Sequence, residues 1–314
     1  MTISDGDGGV VTVDDVTFGD VYICAGDDEM ASAVGTLPAA EVAAIVKEAA
    51  SNFTTVRIFA GSSDSQAWAS AADAAALTQF SGLCYASGRA MQKSYNPTGL
   101  QPSAPSNLTC PVGLISAAAA GARLIEWAPP AVARQSCSKL GGRNSRQTAD
   151  AAGSAFAKYI APLQSLAIRG MFWSHGSSEV AAAVDSGVDN AELYPSTVGA
   201  GTAVGVDGYA ACFQATVTSW RDGGNIGDWS IAYSQLSSSV APNAPAGAVF
   251  AVQDAQNAAR PHPGLEGLTT TSMASDPPPP VPTENLLKDT GGCSSRLPCA
   301  SADVLRSSDD VIAF

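Results

Sequence analysis

The chain has 314 residues, with 16 lysines and arginines against 29 aspartates and glutamates, which gives a formal net charge of −13. This charge argues against a nucleic-acid partner, because DNA and RNA binders attract phosphate groups with clustered basic residues. No two basic residues are adjacent in this sequence. Hydrophobic residues make up 46% of the chain and charged residues 14%, so a sizeable core is possible and disorder of the whole chain is excluded.

The sequence gives mixed indications about the compartment in which the protein folds. No stretch approaches the roughly 20 continuous apolar residues of a membrane-spanning helix, so no membrane span is expected. The first residues lack the basic and apolar regions of a secretory signal, so either the chain is intracellular or a leader is missing. Sequons at Asn52 and Asn107 slightly favour a secretory origin.

The seven cysteines show neither the spacing of a zinc site nor the density of a disulfide scaffold. Only Cys293 and Cys299 are close enough in sequence to suggest a local bridge.

Short β-branched runs alternate with alanine-rich stretches along the chain. Strands are predicted to begin at Val21, Val56, Val112, Ile168 and Ser230. Helices are predicted over residues 39–50 and 71–93, and the apolar spacing from Tyr209 to Trp220 predicts another. Alternation of strand and helix is typical of a parallel sheet covered on both faces.

Several segments are predicted to lie outside the core. Residues 97–109 are interpreted as a surface loop, and the prolines from 277 to 282 as an extended linker. His262 lies between two prolines in a predicted exposed turn. The glycines of 199–205 do not have the spacing of a dinucleotide-binding loop, and no other cofactor motif occurs, so no cofactor is expected.

Ligands of parallel α/β sheets bind outside the carboxyl ends of the strands, and at these ends the sequence resembles a known family. Residues 16–30 resemble the block D-V-x-x-G-D-V-W-x-C-S-G-Q-S-N-M of the SGNH-type sialate O-acetylesterases. Residues 80–89 resemble F-S-x-x-x-Y/F-x-x-x-G-R, and residues 111–127 resemble P-I-G-L-I-x-S-x-W-G-G-T with its downstream W. Residues 161–179 resemble A-P-L followed by I-K-G-x-x-W-Y-Q-G-E-S-N.

The resemblance implies a three-layer α/β/α sandwich with a parallel, flavodoxin-like sheet of the SGNH hydrolase type. It divides the chain into a remnant of a β-rich segment at 1–18, an esterase domain at 19–276, and a Pro-rich linker and tail at 277–314. It also implies hydrolysis of carbohydrate acetyl esters, with an O-acetylated sugar or sialoside as partner, and an extracellular or lysosomal location. The front of the chain is then shortened, which would account for the missing signal.

The positions that carry the family's chemistry hold other residues in this sequence. By resemblance, the nucleophile position is Asp28, the oxyanion positions are Gly121 and Glu179, and the acid and base positions are Asp303 and Leu305. The remaining pocket positions are Gly26, Asp27, His175, Gly176 and Ser177. A carboxylate does not replace the attacking hydroxyl, and leucine cannot accept a proton. The sequence therefore predicts an esterase scaffold with impaired or absent catalysis.

Two other functional hypotheses remain open on the sequence alone. In the first, the chain is a non-catalytic module that binds sugar through Trp127, Trp173 and Arg89. In the second, it is an active hydrolase with a relocated site. A pair of His175 with Ser177 or Ser178 is one form of such a site, but a structural role for His175 is favoured, because neighbouring loop residues rarely bring a hydroxyl group within reach of the imidazole.

The acidic run 27–29 also has two interpretations. Carboxylates at a strand-to-helix turn commonly cap the helix N-terminus. Alternatively, Asp28 and Glu179 meet across the pocket and bind Ca²⁺ or Mg²⁺ through oxygen ligands. The capping interpretation is favoured, so no metal is assigned.

Overall fold

A computed structural model describes residues 2–6, 9–61, 67–95, 110–137, 140, 151–185, 206–223, 230–236, 246–259 and 265–268. Several features predicted from the sequence lie outside these residues. They are the loop at 97–109 with Asn107, the glycines of 199–205, His262, the linker and tail at 277–314, the Cys293–Cys299 bridge, and Asp303 and Leu305.

A seven-stranded sheet forms the middle layer of the fold. It follows a short antiparallel hairpin of β1 (Thr2–Ser4) and β2 (Val10–Thr12). The sheet strands are β3 (Asp20–Gly26), β4 (Val56–Ala60), β5 (Ala69–Ser70), β6 (Val112–Ala118), β7 (Gly170–Ser174), β8 (Ser230–Ser234) and β9 (Leu265–Leu268). Their spatial order is β5-β4-β6-β3-β7-β8-β9, and every pair of neighbours is parallel except β4 and β5.

Helices cover both faces of this sheet. They are α1 (Asp28–Ala31), α2 (Ala39–Asn52), α3 (Ala74–Gln79), α4 (Gly82–Tyr95), α5 (Leu124–Trp127), α6 (Pro130–Gln135), α7 (Ser177–Asp185), α8 (Val206–Asp222) and α9 (Ala246–Ala259). A π-helical turn, Phe156–Ile160, continues into a 3₁₀ turn, Ala161–Leu163. None of the described helices is long and apolar enough to cross a membrane.

The central strand divides its side chains between two separate cores. Tyr22 and Cys24 pack with residues of α2, α3 and α4, whereas Ile23 and Ala25 pack on the opposite face with residues of α5, α6 and α8. This division follows from the two-residue repeat of a strand. Because both faces are buried, β3 carries no charged residue after Asp20, and the predicted three-layer α/β/α sandwich is confirmed.

The predicted elements agree with the structure at most positions. The helix predicted at 71–93 is two helices, because the chain turns at Phe80 and Ser81 between α3 and α4. Strands β5 and β9 were not predicted, since they have only two and four residues. If the six parallel strands are numbered in chain order, their order across the sheet is 2-3-1-4-5-6. The third of these strands, β6, therefore lies between the first, β3, and the second, β4.

The structure contains two disulfides that were not predicted from the sequence, whereas the suggested Cys293–Cys299 bridge lies outside the described residues. Cys24 of β3 is bonded to Cys84 of α4, and Cys137 is bonded to Cys212 of α8. The paired cysteines are 60 and 75 residues apart, so a search for local pairs could not find them. The first disulfide attaches α4 to the central strand β3, and the second attaches α8 to the segment that follows α6. Such bonds are typical of extracellular or secreted proteins.

Candidate functional site

The carboxyl ends of the three central strands lie side by side. Gly26 at the end of β3 is in register with Ala118 of β6 and with Ser174 of β7. Gly26 has a φ of +146°, and a Cβ there would collide with the carbonyl oxygen of Ser174, so only glycine fits. The three segments that follow these strands therefore converge at one edge of the sheet, as the sequence predicted.

Asp28 joins the other two segments through hydrogen bonds. Its Oδ1 accepts one from the backbone N–H of Gly121 at 3.0 Å. Its Oδ2 accepts hydrogen bonds from the hydroxyl groups of Ser177 at 3.1 Å and Ser178 at 3.4 Å. Asp28 is exposed, so its carboxylate lies at the surface of the site. The Gly121 N–H, which the resemblance assigned to the oxyanion, is thus already hydrogen-bonded to this carboxylate.

Asp27 lies beneath Asp28 and is fully buried. Its Oδ2 accepts hydrogen bonds from the backbone N–H groups of Gly176 and Ser178, both at 2.9 Å. Its side chain makes no capping bond to α1, the helix that it precedes. Asp27 therefore does not cap α1. Its carboxylate instead accepts a hydrogen bond from an N–H group in the first turn of α7, which is the kind of contact that the capping interpretation expected at a different helix.

Glu29 completes the acidic run and faces β7. Its Oε2 accepts a hydrogen bond of 2.6 Å from the Ser174 hydroxyl group. Burial raises the pKa of Glu29 above its ordinary value, and the nearby charge of Asp27 raises it further, while the Ser174 hydrogen bond opposes these effects.

Glu179 does not meet Asp28, so the alternative interpretation, in which these two carboxylates bind a cation, is wrong. Its Oε2 lies 2.9 Å from Nη2 and 3.3 Å from Nε of Arg123, and its Oε1 accepts a hydrogen bond of 2.8 Å from the Leu124 N–H. These contacts turn the buried carboxylate toward the start of α5. Within the described residues there is no group of three or more His, Cys, Asp or Glu that could hold a metal.

His175 is fully buried and lies among aromatic rings. Its Nδ1 is 3.1 Å from the Tyr209 hydroxyl oxygen, and its Nε2 is 3.1 Å from the Ala122 carbonyl oxygen. The imidazole also stacks on Trp173, with 5.3 Å between ring centroids. Both ring nitrogens thus have partners, and neither partner is a serine. The favoured structural role of His175 agrees with these contacts, and the alternative pair with Ser177 or Ser178 is not formed.

The side chains suggested for sugar binding belong to the interior. Trp127 and Trp173 are 0% and 1% exposed, and their ring centroids lie 5.2 Å apart in an edge-to-face contact. Arg89 is buried and forms an ion pair of 2.6 Å with Glu48. These three residues hold the fold together and are not available to a ligand.

A cleft of about 260 Å³ opens beside the strand-end loop, and the sequence did not predict it. Small residues form one wall, and polar side chains near the π-helical turn form the other. The lining residues are Ala119, Ala120, Gly121, Ala122, Glu126, Ser154, Ala155, Lys158 and Tyr159. The wall at 119–122 belongs to the motif block 111–127, whereas no sequence motif marks the wall that contains Ser154, Lys158 and Tyr159.

The polar wall of this cleft has a defined arrangement. The Ser154 hydroxyl group donates a hydrogen bond of 3.0 Å to Glu126, whose other oxygen accepts one of 2.9 Å from the Arg123 N–H. The Lys158 ammonium group lies 4.8 Å from the centroid of the Tyr159 ring. Gly121 belongs both to this cleft and to the Asp28 contact, so the two features are continuous.

Comparison with known proteins supports the fold class. No protein-family model matches the sequence, and no curated protein matches it either. A carbohydrate acetylesterase from Xanthomonas citri has a similar structure, with a TM-score of 0.57 and 18% identity over 84% of this chain. The match covers 52% of that acetylesterase, so this chain spans about half its length. A protein from Arabidopsis thaliana gives a TM-score of 0.45 at 12% identity, covering 82% of this chain and 88% of the other.

The chain therefore has an α/β/α fold with a mostly parallel central sheet, similar to the fold of that acetylesterase. At these identities the similarity concerns the fold alone, and the chemistry has to be argued from the residues of this chain.

Proposed function

We propose that the protein is a relative of the carbohydrate acetylesterases that binds an O-acetylated sugar at its strand-end site and hydrolyses it poorly. The observation that carries this proposal is the hydrogen bond from the Gly121 N–H to the Asp28 carboxylate. A negatively charged group lies where the attacking hydroxyl of a serine esterase would be. It also occupies a backbone donor that would otherwise stabilise the negative charge of the transition state.

The loss of the serine–histidine pair supports the impaired reaction. An ester hydrolase of this type needs a hydroxyl group within hydrogen-bond reach of its base. His175, the one histidine among the described residues, is held by Tyr209 and by the Ala122 carbonyl group. The sequence resemblance puts Leu305 at the place of the base. A missing general base costs about two to four powers of ten in rate.

The cleft beside Gly121 supports sugar binding. Its volume of about 260 Å³ is below the roughly 300–1,000 Å³ of drug-sized pockets and suits one sugar unit. The alanines of one wall suit an acetyl methyl group. Lys158 is an exposed donor on the opposite wall, the exposed Ser154 oxygen can accept a hydrogen bond, and Glu126 offers carboxylate oxygens to sugar hydroxyl groups.

The finer parts of the proposal come from the resemblance. A sialoside is proposed as the typical sugar, because sialate O-acetylesterases carry the motifs that this sequence resembles. The two disulfides favour an extracellular site of action over a reducing compartment, and the lysosome is proposed as a second location. The division into residues 1–18, 19–276 and 277–314 is part of the same proposal.

Binding and hydrolysis should be measured on the same preparation. Isothermal titration with an O-acetylated sialoside is expected to show saturable binding, and acetate release should be far below the 1–10³ s⁻¹ of ordinary enzymes, by roughly two powers of ten or more. The double variant Asp28→Ser, Leu305→His should release acetate faster than Asp28→Ser alone. Absence of saturable binding to any acetylated sugar would overturn the binding proposal. Ordinary turnover by the unaltered protein would overturn the impaired reaction.

A further inference from the structure

Ser177 stands where a strand, a tight turn and a helix follow one another. Strand β7 ends at Ser174, Gly176 turns the chain with a φ of +138°, and α7 begins at Ser177. This turn directs the Ser177 hydroxyl group toward the segment after β3, where it donates a hydrogen bond of 3.1 Å to Oδ2 of Asp28. A hydroxyl group and a carboxylate are thus paired at the carboxyl edge of the sheet.

The carboxylate of this pair is itself held in place. The Gly121 N–H fixes Oδ1 of Asp28 at 3.0 Å, which leaves Oδ2 directed at the hydroxyl group. A nucleophile within reach of a base that a third group orients is the arrangement of serine hydrolases in general. We infer that Ser177 is a relocated nucleophile and Asp28 its general base, and that this dyad carries a slow hydrolysis of acetyl esters.

This inference rests on the proposed function in taking an acetyl ester as the substrate. It differs from the family's reaction in both residues, because the position of the former nucleophile now supplies the base. It also differs from the alternative pairing of His175 with a serine, since the His175 ring nitrogens contact Tyr209 and the Ala122 carbonyl group.

The surroundings of the dyad suit an approaching ester. Asp28 is exposed, and Ser177 lies at the edge of the buried region with 9% of its surface accessible. The Gly176 and Ser178 N–H groups at the start of α7 are bound to Asp27, so they do not stabilise the charge of the transition state, and this is a further reason for a slow rate. Ser178 is a poorer candidate, because its hydroxyl group is 3.4 Å from Asp28 and its N–H is bound to Asp27.

The reaction balances with water as the only co-reactant. The Ser177 oxygen forms a bond to the acyl carbon while its proton passes to Asp28, and the proton then passes to the sugar oxygen as the ester bond breaks. Water next gives its proton to Asp28 and attacks the acetyl-serine. Acetic acid leaves as the Ser177 oxygen recovers the proton, and the acid then ionises in water. A carboxylate is a weaker base than an imidazole at neutral pH, which accounts for a slow rate.

The test combines covalent labelling with hydrolysis of an aryl acetate. The unaltered protein, incubated with a fluorophosphonate, should be labelled on Ser177, as peptide mass spectrometry would show. Ser177→Ala should lose the label and lower aryl acetate hydrolysis by about two powers of ten or more. Asp28→Asn keeps the shape of the side chain but removes the base, so labelling and hydrolysis should both fall by about 10²–10⁴-fold.

Two control variants make the result specific. Ser51→Ala removes an exposed hydroxyl group on α2 and should change neither measurement. Ser178→Ala should still be labelled on Ser177. Circular dichroism and thermal melting of each variant confirm that it is folded.

Each outcome bears on the inference. Label on another serine, no label on the folded unaltered protein, or equal hydrolysis by Ser177→Ala would overturn it. Sugar binding is measured separately by titration, and it should persist in Ser177→Ala. Retained binding without labelling would therefore reject the dyad alone, whereas labelling without sugar binding would reject the carbohydrate part of the proposed function.

Discussion

Arg123 and Glu179 form an ion pair that joins the start of α5 to the first turn of α7. The guanidinium Nη2 lies 2.9 Å from the carboxylate Oε2, and the Glu179 side chain is only 7% exposed. The same carboxylate accepts a hydrogen bond from the Leu124 N–H. The pair therefore fixes the segment after β6 against the segment after β7, and these two segments carry Gly121 and Ser177.

Removing the arginine should leave a buried carboxylate without its counter-charge. Arg123→Met is expected to lower the free energy of unfolding by about 2–3 kcal/mol, somewhat less than for a fully buried pair because the Arg123 side chain is 24% exposed. Urea denaturation measures this change. The matched control is Arg57→Met, whose partner Asp15 is 71% exposed, and it should cost at most about 1 kcal/mol. Equal losses in the two variants would contradict the structural importance of Arg123.

The disulfide between Cys137 and Cys212 should contribute strongly to stability. Its 75-residue separation means that the bond restricts a long loop in the unfolded chain. The double variant Cys137→Ser, Cys212→Ser is expected to lose about 2–5 kcal/mol in urea denaturation, and a reducing agent should destabilise the unaltered protein.

Cys110 provides the control for this experiment, because it is the free cysteine among the described residues. Cys110→Ser should leave the urea midpoint nearly unchanged. Because this variant keeps both disulfides, a reducing agent should still lower its urea midpoint. If both disulfides are shown to be reduced and the urea midpoints of the unaltered protein and of Cys110→Ser stay the same, the disulfides do not stabilise the fold.

The strands and their common edge could be predicted from the sequence because both depend on local patterns. The apolar run of β3 shows burial on two faces, and parallel strands end at the same edge of a sheet. These two facts predict that residues 27–29, 119–122 and 175–179 lie together. The contacts of Asp28 with Gly121 and Ser177 agree with this expectation.

The partners of the buried polar groups could not be predicted in the same way. Glu179 and Arg123 are 56 residues apart, and nothing near either residue indicates the other. Asp27 has the sequence context of a cap for α1, yet its side chain binds N–H groups 149 and 151 residues away. Such pairings are set by the packing of whole elements, and that packing also decides which cysteines meet.

Glu29 should give the folding stability a pH dependence. Burial raises its pKa in the folded protein above the ordinary value of 4.5, whereas the unfolded chain keeps the ordinary value. The folded state then binds the Glu29 proton more tightly. The stability from this group is fully present below pH 4.5 and is lost as the pH rises through the raised pKa.

Glu29→Gln should remove this loss, because glutamine is neutral and can still accept the hydrogen bond of Ser174. Unfolding free energies from urea denaturation at pH 4 to 7 should show the variant gaining stability relative to the unaltered protein as the pH rises. Glu41→Gln, at an exposed position on α2, serves as the control. A constant difference between Glu29→Gln and the unaltered protein across this range would show that burial does not affect Glu29 as described.

Lys158 should contribute to binding of the sugar in the cleft. Its ammonium group lies against the Tyr159 ring and has no salt bridge within the described part of the chain, so it is free to donate to a ligand oxygen. Hydrogen bonds that involve a charged group are worth about 1.5–3 kcal/mol. Lys158→Met keeps the length of the side chain but removes the donor, and it should weaken binding of the acetylated sugar by about tenfold or more in isothermal titration. Lys47→Met, on the exposed face of α2, makes the same change in charge away from the cleft. Equal affinities for the two variants would show that the sugar does not contact Lys158.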